Sequence, residues 1–216
     1  MSRKTNHKPN PFKITDTGMR RRFFENSPIV NFVFTHLLPL LDSPIRRWYN
    51  DPEKTLTGAG IKPGLEVLEV GCGSGFFTIP ASKRVGEKGL VHAFDIQPIA
   101  VEKTTKKIKD ANLKNVKITK TDALDTGLPS QSYDLILLFG VIPAPVLSLD
   151  LLLPEMHRLL KSDGSMAVWT GVPFWSPKSV TKNGLFAHIG KSNGVHRFRR
   201  VRGWLYYFLV GCQNEV

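Results

Sequence analysis

Between Val67 and Gly75 the chain reads Val67-Leu68-Glu69-Val70-Gly71-Cys72-Gly73-Ser74-Gly75, and this stretch restricts the possible folds more than any other. A buried-strand pattern empties into three glycines at alternate positions. Such a turn lets the backbone take positive φ and pass close to a ligand, and a helix that follows presents unpaired N–H groups and the positive end of its dipole. Around the turn, short apolar runs alternate with helical segments. The strand candidates are Glu66 to Val70, Leu90 to Asp95, Val116 to Thr119, Tyr133 to Leu138 and Ser165 to Thr170. Between them lie helix candidates Phe76 to Val85, Pro98 to Ala111 and Pro145 to Leu160. That alternation marks a parallel sheet with helices on both faces, and right-handed crossovers make it doubly wound. Leu185 to Gly190 and Val195 to Val201, separated by a turn at Lys191-Ser192-Asn193-Gly194, read as an antiparallel hairpin. The expectation is an α/β fold with a seven-stranded sheet, mostly parallel and closed by that hairpin.

Spacing separates the ligands that glycine-rich turns serve. The dinucleotide fingerprint places a third glycine where this chain has Phe76, and no Gly-Lys-Ser/Thr follows as a phosphate-cradling loop requires. What fits is acidic-x-Gly-x-Gly-x-Gly, from Glu69 to Gly75. Further matches come in order: Val91-His92-Ala93-Phe94-Asp95, Thr121-Asp122-Ala123, Tyr133-Asp134-Leu135-Ile136-Leu137-Leu138, and Pro154 through Gly164. With them the chain, over roughly residues 55 to 201, resembles the class I S-adenosylmethionine-dependent methyltransferases.

The resemblance implies a Rossmann-like fold and S-adenosyl-L-methionine as cofactor. It implies that Asp95 accepts from the ribose hydroxyls, with Ile96 beside it, and that Asp122 and Ala123 stand on the adenine side. Glu69, Gly71, Cys72, Gly73, Ser74, Gly75 and Phe139 complete the implied cofactor set. Each acid also has a plainer role open to it, Glu69 as a helix cap and Asp95 as the start of a turn, and Asp125 competes with Asp122 for its register. Cys72 reads as a packing residue, since no basic neighbour in sequence activates its thiol.

The acceptor is less legible. Phe139-Gly140-Val141-Ile142-Pro143-Ala144-Pro145 lacks the Asn/Asp-Pro-Pro-aromatic motif of amino-group methylation on nucleic acids, and no cysteine follows the fourth strand for cytosine-C5 chemistry. Two cysteines are too few for arsenic methylation, for a disulfide framework or for a zinc site. The pattern resembles the quinone-biosynthesis and small-molecule branch, which implies a small, apolar or aromatic acceptor; an RNA methyltransferase and a non-catalytic binding protein are the alternatives. No catalytic base is identified. His36 is a candidate and His157 reads as structural, while Trp48, Tyr49, Phe174 and Trp175 are candidates for a pocket wall.

The chain's 216 residues suit one domain with a modest elaboration, and its formal charge of +12 is unevenly spread. Residues 1–60 carry ten Lys/Arg against five Asp/Glu, residues 61–170 thirteen against twelve, and residues 171–216 seven against one. Basic flanks suit RNA or an anionic membrane surface, though solvated faces often look the same. Residues 1–54 are expected to be a flexible lead-in and helical cap, with helices over Pro28 to Leu41, around Ile45 to Tyr49 and opening at Asp51-Pro52-Glu53. Residues 55–202 are expected to form the methyltransferase domain and residues 203–216 an apolar tail against a subunit or a membrane. Sparse cysteines and the lack of a cleavage site after Arg20-Arg21-Arg22 point to a cytoplasmic setting.

Overall fold

The computed structural model describes Pro28, Phe32 and residues 50–142, 147–172 and 174–201. The expected helices at 28–41 and 45–49 lie outside the described residues except for Pro28 and Phe32, both helical, and the 203–216 tail lies wholly outside them. The first described helix, α1 (Pro52–Ala59), opens where expected. The Asp51 carboxylate accepts from the amides of Glu53 and Lys54, and Gly60 closes the helix at φ 80°.

The remaining elements are β1 (Glu66–Val70), α2 (Thr78–Val85), β2 (Leu90–Asp95), α3 (Pro98–Asp110), β3 (Val116–Lys120), β4 (Tyr133–Phe139), α4 (Leu149–Leu159), β5 (Leu160–Trp169), α5 (Lys178–Thr181), β6 (Phe186–Ser192) and β7 (Val195–Arg200). They form one seven-stranded sheet in the order β3-β2-β1-β4-β5-β7-β6, parallel from β3 to β5, with β7 antiparallel to both neighbours. Successive strand residues point to opposite faces, so a sheet covered on both sides needs apolar residues at nearly every position. Val67, Leu135 and Leu137 join Leu56, Phe77 and Ala81 in one core, under α1 and α2. Leu68, Ile136 and Leu138 join Leu152, Met156 and Phe198 in the other, under α4.

Most boundaries lie within a residue of the sequence reading, α4 begins at Leu149 rather than Pro145, and three further differences have a local cause. Helix α2 begins at Thr78 rather than Phe76, because residues 73–77 are still turning out of the glycine-rich segment. Strand β5 begins at Leu160, not Ser165; it pairs with Tyr133, slips register, and resumes at Ser165 opposite Leu135, so Lys161-Ser162-Asp163-Gly164 is a bulge within the strand. The hairpin turn has two residues instead of four. Asn193 (φ 47°) and Gly194 (φ 78°) both hold left-handed backbone, the geometry whose twist matches paired strands, so Lys191 and Ser192 remain in β6.

The connection from β3 to β4 has no helix. Glu155 of α4 holds it instead, accepting from the Thr126 amide (3.1 Å) and hydroxyl (2.5 Å) while pairing with Arg158 (2.7 Å), which itself donates to the Leu128 carbonyl. On the opposite face α1 sits against the hairpin so closely that a Cβ at Gly58 would collide with the Ser192 carbonyl oxygen. Alanine for glycine inside a helix normally stabilises by about 0.5–1 kcal/mol. Here Gly58→Ala is expected to destabilise by about 1–3 kcal/mol, as overpacking does, read from urea unfolding midpoints; a gain in stability would mean that α1 is not docked this way.

Candidate functional site

The three glycines all hold positive φ: Gly71 at 75°, Gly73 at 53° and Gly75 at 80°. The last turn of β2 fixes the first of them. The amides of Gly71 (2.8 Å) and Cys72 (3.0 Å) both donate to the Phe94 carbonyl, and the Gly75 amide closes the loop on the Cys72 carbonyl at 2.9 Å. From outside, α3 holds the loop through two side chains: Thr104 Oγ1 donates to the Gly73 carbonyl and Lys107 Nζ to that of Ser74, each at 2.9 Å. A Cβ on Gly71 would press on Val141 at 3.0 Å and one on Gly75 on Thr104 at 3.1 Å, whereas one on Gly73 meets nothing within 4 Å. The turn therefore presents bare backbone to open space at Gly73.

Two buried carboxyls flank it. Glu69, 2% exposed, accepts from Thr78 Oγ1 at 2.6 Å, the hydroxyl of the first residue of α2. Burial pushes its carboxyl up to about 8; the Thr78 bond opposes that rise and nearby Asp95 adds to it. Asp95 uses both oxygens, Oδ2 accepting from the Gly73 amide (3.0 Å) and Oδ1 from the Gln97 amide (2.9 Å). Burial raises its carboxyl as well, against the amides of Gln97, Gly73 and Ile96, which lower it. The plainer roles of the two acids, helix contact and turn start, are thus real and coexist with their place at the turn. Cys72 is buried, and burial, Asp95 and Glu69 together push its thiol upward, which fits a packing residue.

The other expected residues share this edge of the sheet. The Thr121 amide donates to the Asp95 carbonyl, tying the exit of β3 to the site. Beyond it Asp122 and Ala123 are buried and Asp125 is exposed. Phe139 ends β4 with its ring 4.8 Å from Phe77, and Phe77 stands 6.2 Å from Trp169 at the end of β5. Ser74 is buried and Ile96 half-buried.

The histidines divide otherwise. His157 Nε2 donates to the Val201 carbonyl oxygen (2.9 Å) and the ring lies edge-on to Phe186, a packing role, while His36 is outside the described residues. Sequence reasoning did not single out His92, which is buried between the Tyr133 hydroxyl (2.6 Å) and Thr119 Oγ1 (2.9 Å); burial, then Lys117, lowers it to about 4, so it stays neutral. Thr78, Gln97, Thr104 and Lys107 were missed as supports of the turn. One signal was available: Thr104 interrupts the buried stripe Ala100, Thr104, Ile108 on α3, and a polar residue there needs a bonding partner.

The donor set suits an adenosyl sulfonium. A carboxylate with each oxygen held by one backbone amide retains lone pairs for a vicinal diol, bare backbone at Gly73 gives close approach, and two buried acids favour a cation. Fold and site together define an S-adenosylmethionine-binding α/β protein of class I. Residues 61–200 match the methyltransferase domain family, and the chain belongs to it. An aklanonic acid methyltransferase from Streptomyces sp. (strain C5) is 38% identical over 74 residues, 34% of each chain. A demethylmenaquinone methyltransferase from Lactobacillus johnsonii is 33% identical over 110 residues, 50% of this chain and 44% of its own. The chain thus spans less than half the length of either. A crystal structure of a SAM-dependent methyltransferase from Aquifex aeolicus superposes with a TM-score of 0.62 at 27% identity, covering 76% of this chain and 95% of that one. The family's cofactor is S-adenosylmethionine.

The raised Glu69 carboxyl yields a pH prediction. In the ligand-free protein its contribution to stability is complete below the unfolded value of 4.5 and is lost as pH rises through about 8. A cation beside it favours the ionised form, so affinity for S-adenosylmethionine is expected to rise with pH up to about 8 and then level, with proton release on binding. Calorimetry in buffers of different ionisation heat reads that proton; Glu69→Gln should flatten the profile, and a parent profile already flat would place the titrating group elsewhere.

Proposed function

We propose that the protein transfers a methyl group from S-adenosylmethionine to a small, apolar or aromatic acceptor. The observation that carries this reading is the turn 71–75, pinned to the end of β2 and flanked by Asp95, with bare backbone at Gly73. Glu69, Gly71, Cys72, Gly73, Ser74, Gly75, Asp95, Ile96, Asp122, Ala123 and Phe139 hold the cofactor in this reading. Residues 55–202 carry the activity, and residues 1–54 cap the site. When bound, the cofactor supplies a methyl already activated by a positive sulfur, open to in-line displacement by an acceptor nucleophile.

What remains for the chain is orientation and exclusion of water. Asp95 fixes the sugar end and the turn fixes the chain of the adenosyl donor. Phe77 and Phe139 are buried and back the half-buried Trp169 at the end of β5, so Trp169 is the ring of this group that an apolar or aromatic acceptor would meet. Support for a small-molecule acceptor comes also from the relatives, whose names specify aklanonic acid and demethylmenaquinone. No side chain need act as base where the acceptor is acidic enough to ionise at the operating pH.

Calorimetry with S-adenosylmethionine on the full chain is expected to show saturable binding, weakened by about 2 kcal/mol in Asp95→Ala as two charge-assisted hydrogen bonds are lost. Methyl transfer from labelled cofactor to quinone-like phenols should then exceed transfer to RNA. Absence of binding heat, or equal binding by Asp95→Ala, defeats the reading; preferential labelling of RNA moves the acceptor to another class.

A further inference from the structure

The loop that leaves β5 turns its apolar residues outward. Val172 is 48% exposed and Phe174 is fully exposed, although the next residue, Trp175, packs against the buried core with its ring 5.3 Å from His196. Phe174 holds φ 62°, a left-handed backbone that bulky side chains rarely adopt, and this reversal sends two neighbouring rings in opposite directions. Both flanks of the loop are fastened. The Val172 amide donates to Thr170 Oγ1 at 3.1 Å, and Ser176 accepts from the Lys178 amide and from Ser179 Oγ. The exposure of Phe174 therefore belongs to the fold of the loop.

The surroundings are basic. Residues 171–201 contain no Asp or Glu, and Lys178, Lys182 and Lys191 are exposed on α5 and at the end of β6. Lys182 pairs with Asp150 of α4 at 3.4 Å, with both side chains largely in solvent. The loop emerges from the C-terminal end of β5, and β5 runs parallel to the strands that lead into the glycine-rich turn and Asp95. An apolar tip among unbalanced lysines, on the edge that holds the candidate site, is the chemistry of a surface that meets an anionic lipid interface.

We propose that the loop after β5 is a membrane-docking element, with Phe174 and Val172 entering the interfacial zone of an anionic bilayer and Lys178 and Lys191 resting on its phosphates. The use of such docking rests on the reading above, since an apolar acceptor dissolved in the bilayer would reach the site from that side. The docking itself does not need that reading. Co-sedimentation of the full chain with vesicles of phosphatidylcholine, and of phosphatidylcholine with phosphatidylglycerol, tests it directly. Binding is expected to the anionic vesicles only and to fall steeply with salt. Phe174→Ser is expected to weaken partitioning about tenfold, with Phe174→Leu retaining it, and Lys178→Ala and Lys191→Ala about fivefold each. Circular dichroism of Phe174→Ser should match the parent, because that ring makes no buried contact. Indifference of the parent to anionic vesicles overturns the proposal, and so does parent-like partitioning of Phe174→Ser, which would assign membrane contact to another segment or leave Phe174 to cover a bound acceptor. Calorimetry with S-adenosylmethionine on the same samples reports separately whether the methyl-transfer reading stands.

Discussion

The Phe94 carbonyl at the end of β2 takes two hydrogen bonds, from Gly71 and Cys72, and the rest of the site depends on that junction. Once β1 and β2 pair in register from Glu66–Leu90 to Val70–Phe94, the chain leaving Val70 must turn immediately. Glycine at position 71 makes the turn at φ 75°, and the same register sets Asp95 beside the amide of Gly73. An interstrand register thus becomes a ligand geometry. Shifting it by one residue would send Asp95 to the other face of the sheet and leave the turn without its acceptor.

The turn also holds an electrostatic tension. Glu69 and Asp95 are both withdrawn from water, and Asp95 makes ionisation of Glu69 harder still. Isolated buried carboxylates are costly, and proteins that keep them generally supply a partner or leave them protonated. Here the hydroxyl of Thr78 and the amides of Gly73 and Gln97 provide part of that partnership. In the reading proposed above a bound sulfonium would complete it, its positive charge stabilising the two acids.

Much of this was readable before any coordinates, for a physical reason. Strands β1 and β2 were located to the residue because a sheet buried on both faces leaves uninterrupted apolar runs bounded by glycine and by Asp95. The glycine-rich turn was legible because its residues carry the function in the backbone, and only glycine suits the positive φ. Local pattern could not show what holds the turn from behind. Thr78, Thr104 and Lys107 come from two helices, and nothing in their own neighbourhoods says which carbonyl or carboxylate they will meet. The early start of β5 was hidden for the same reason: Leu160 is drawn into the sheet by its pairing with Tyr133, not by any β preference of Lys161-Ser162-Asp163-Gly164.

Among the described residues the two faces of the sheet are covered differently. On one side α1 and α2 pack the strands, with Phe77 reaching both Phe139 and Trp169. On the other, the β3–β4 connection is a loop bolted to α4 by Glu155, and α5 has only four residues. Among the described residues that face is covered by α4 together with these shorter, polar-anchored pieces. Loops bury fewer contacts than helices and open at lower cost. The loop with Phe174 at its tip is one of these, and a ring that stays in solvent adds nothing to the burial that stabilises the sheet.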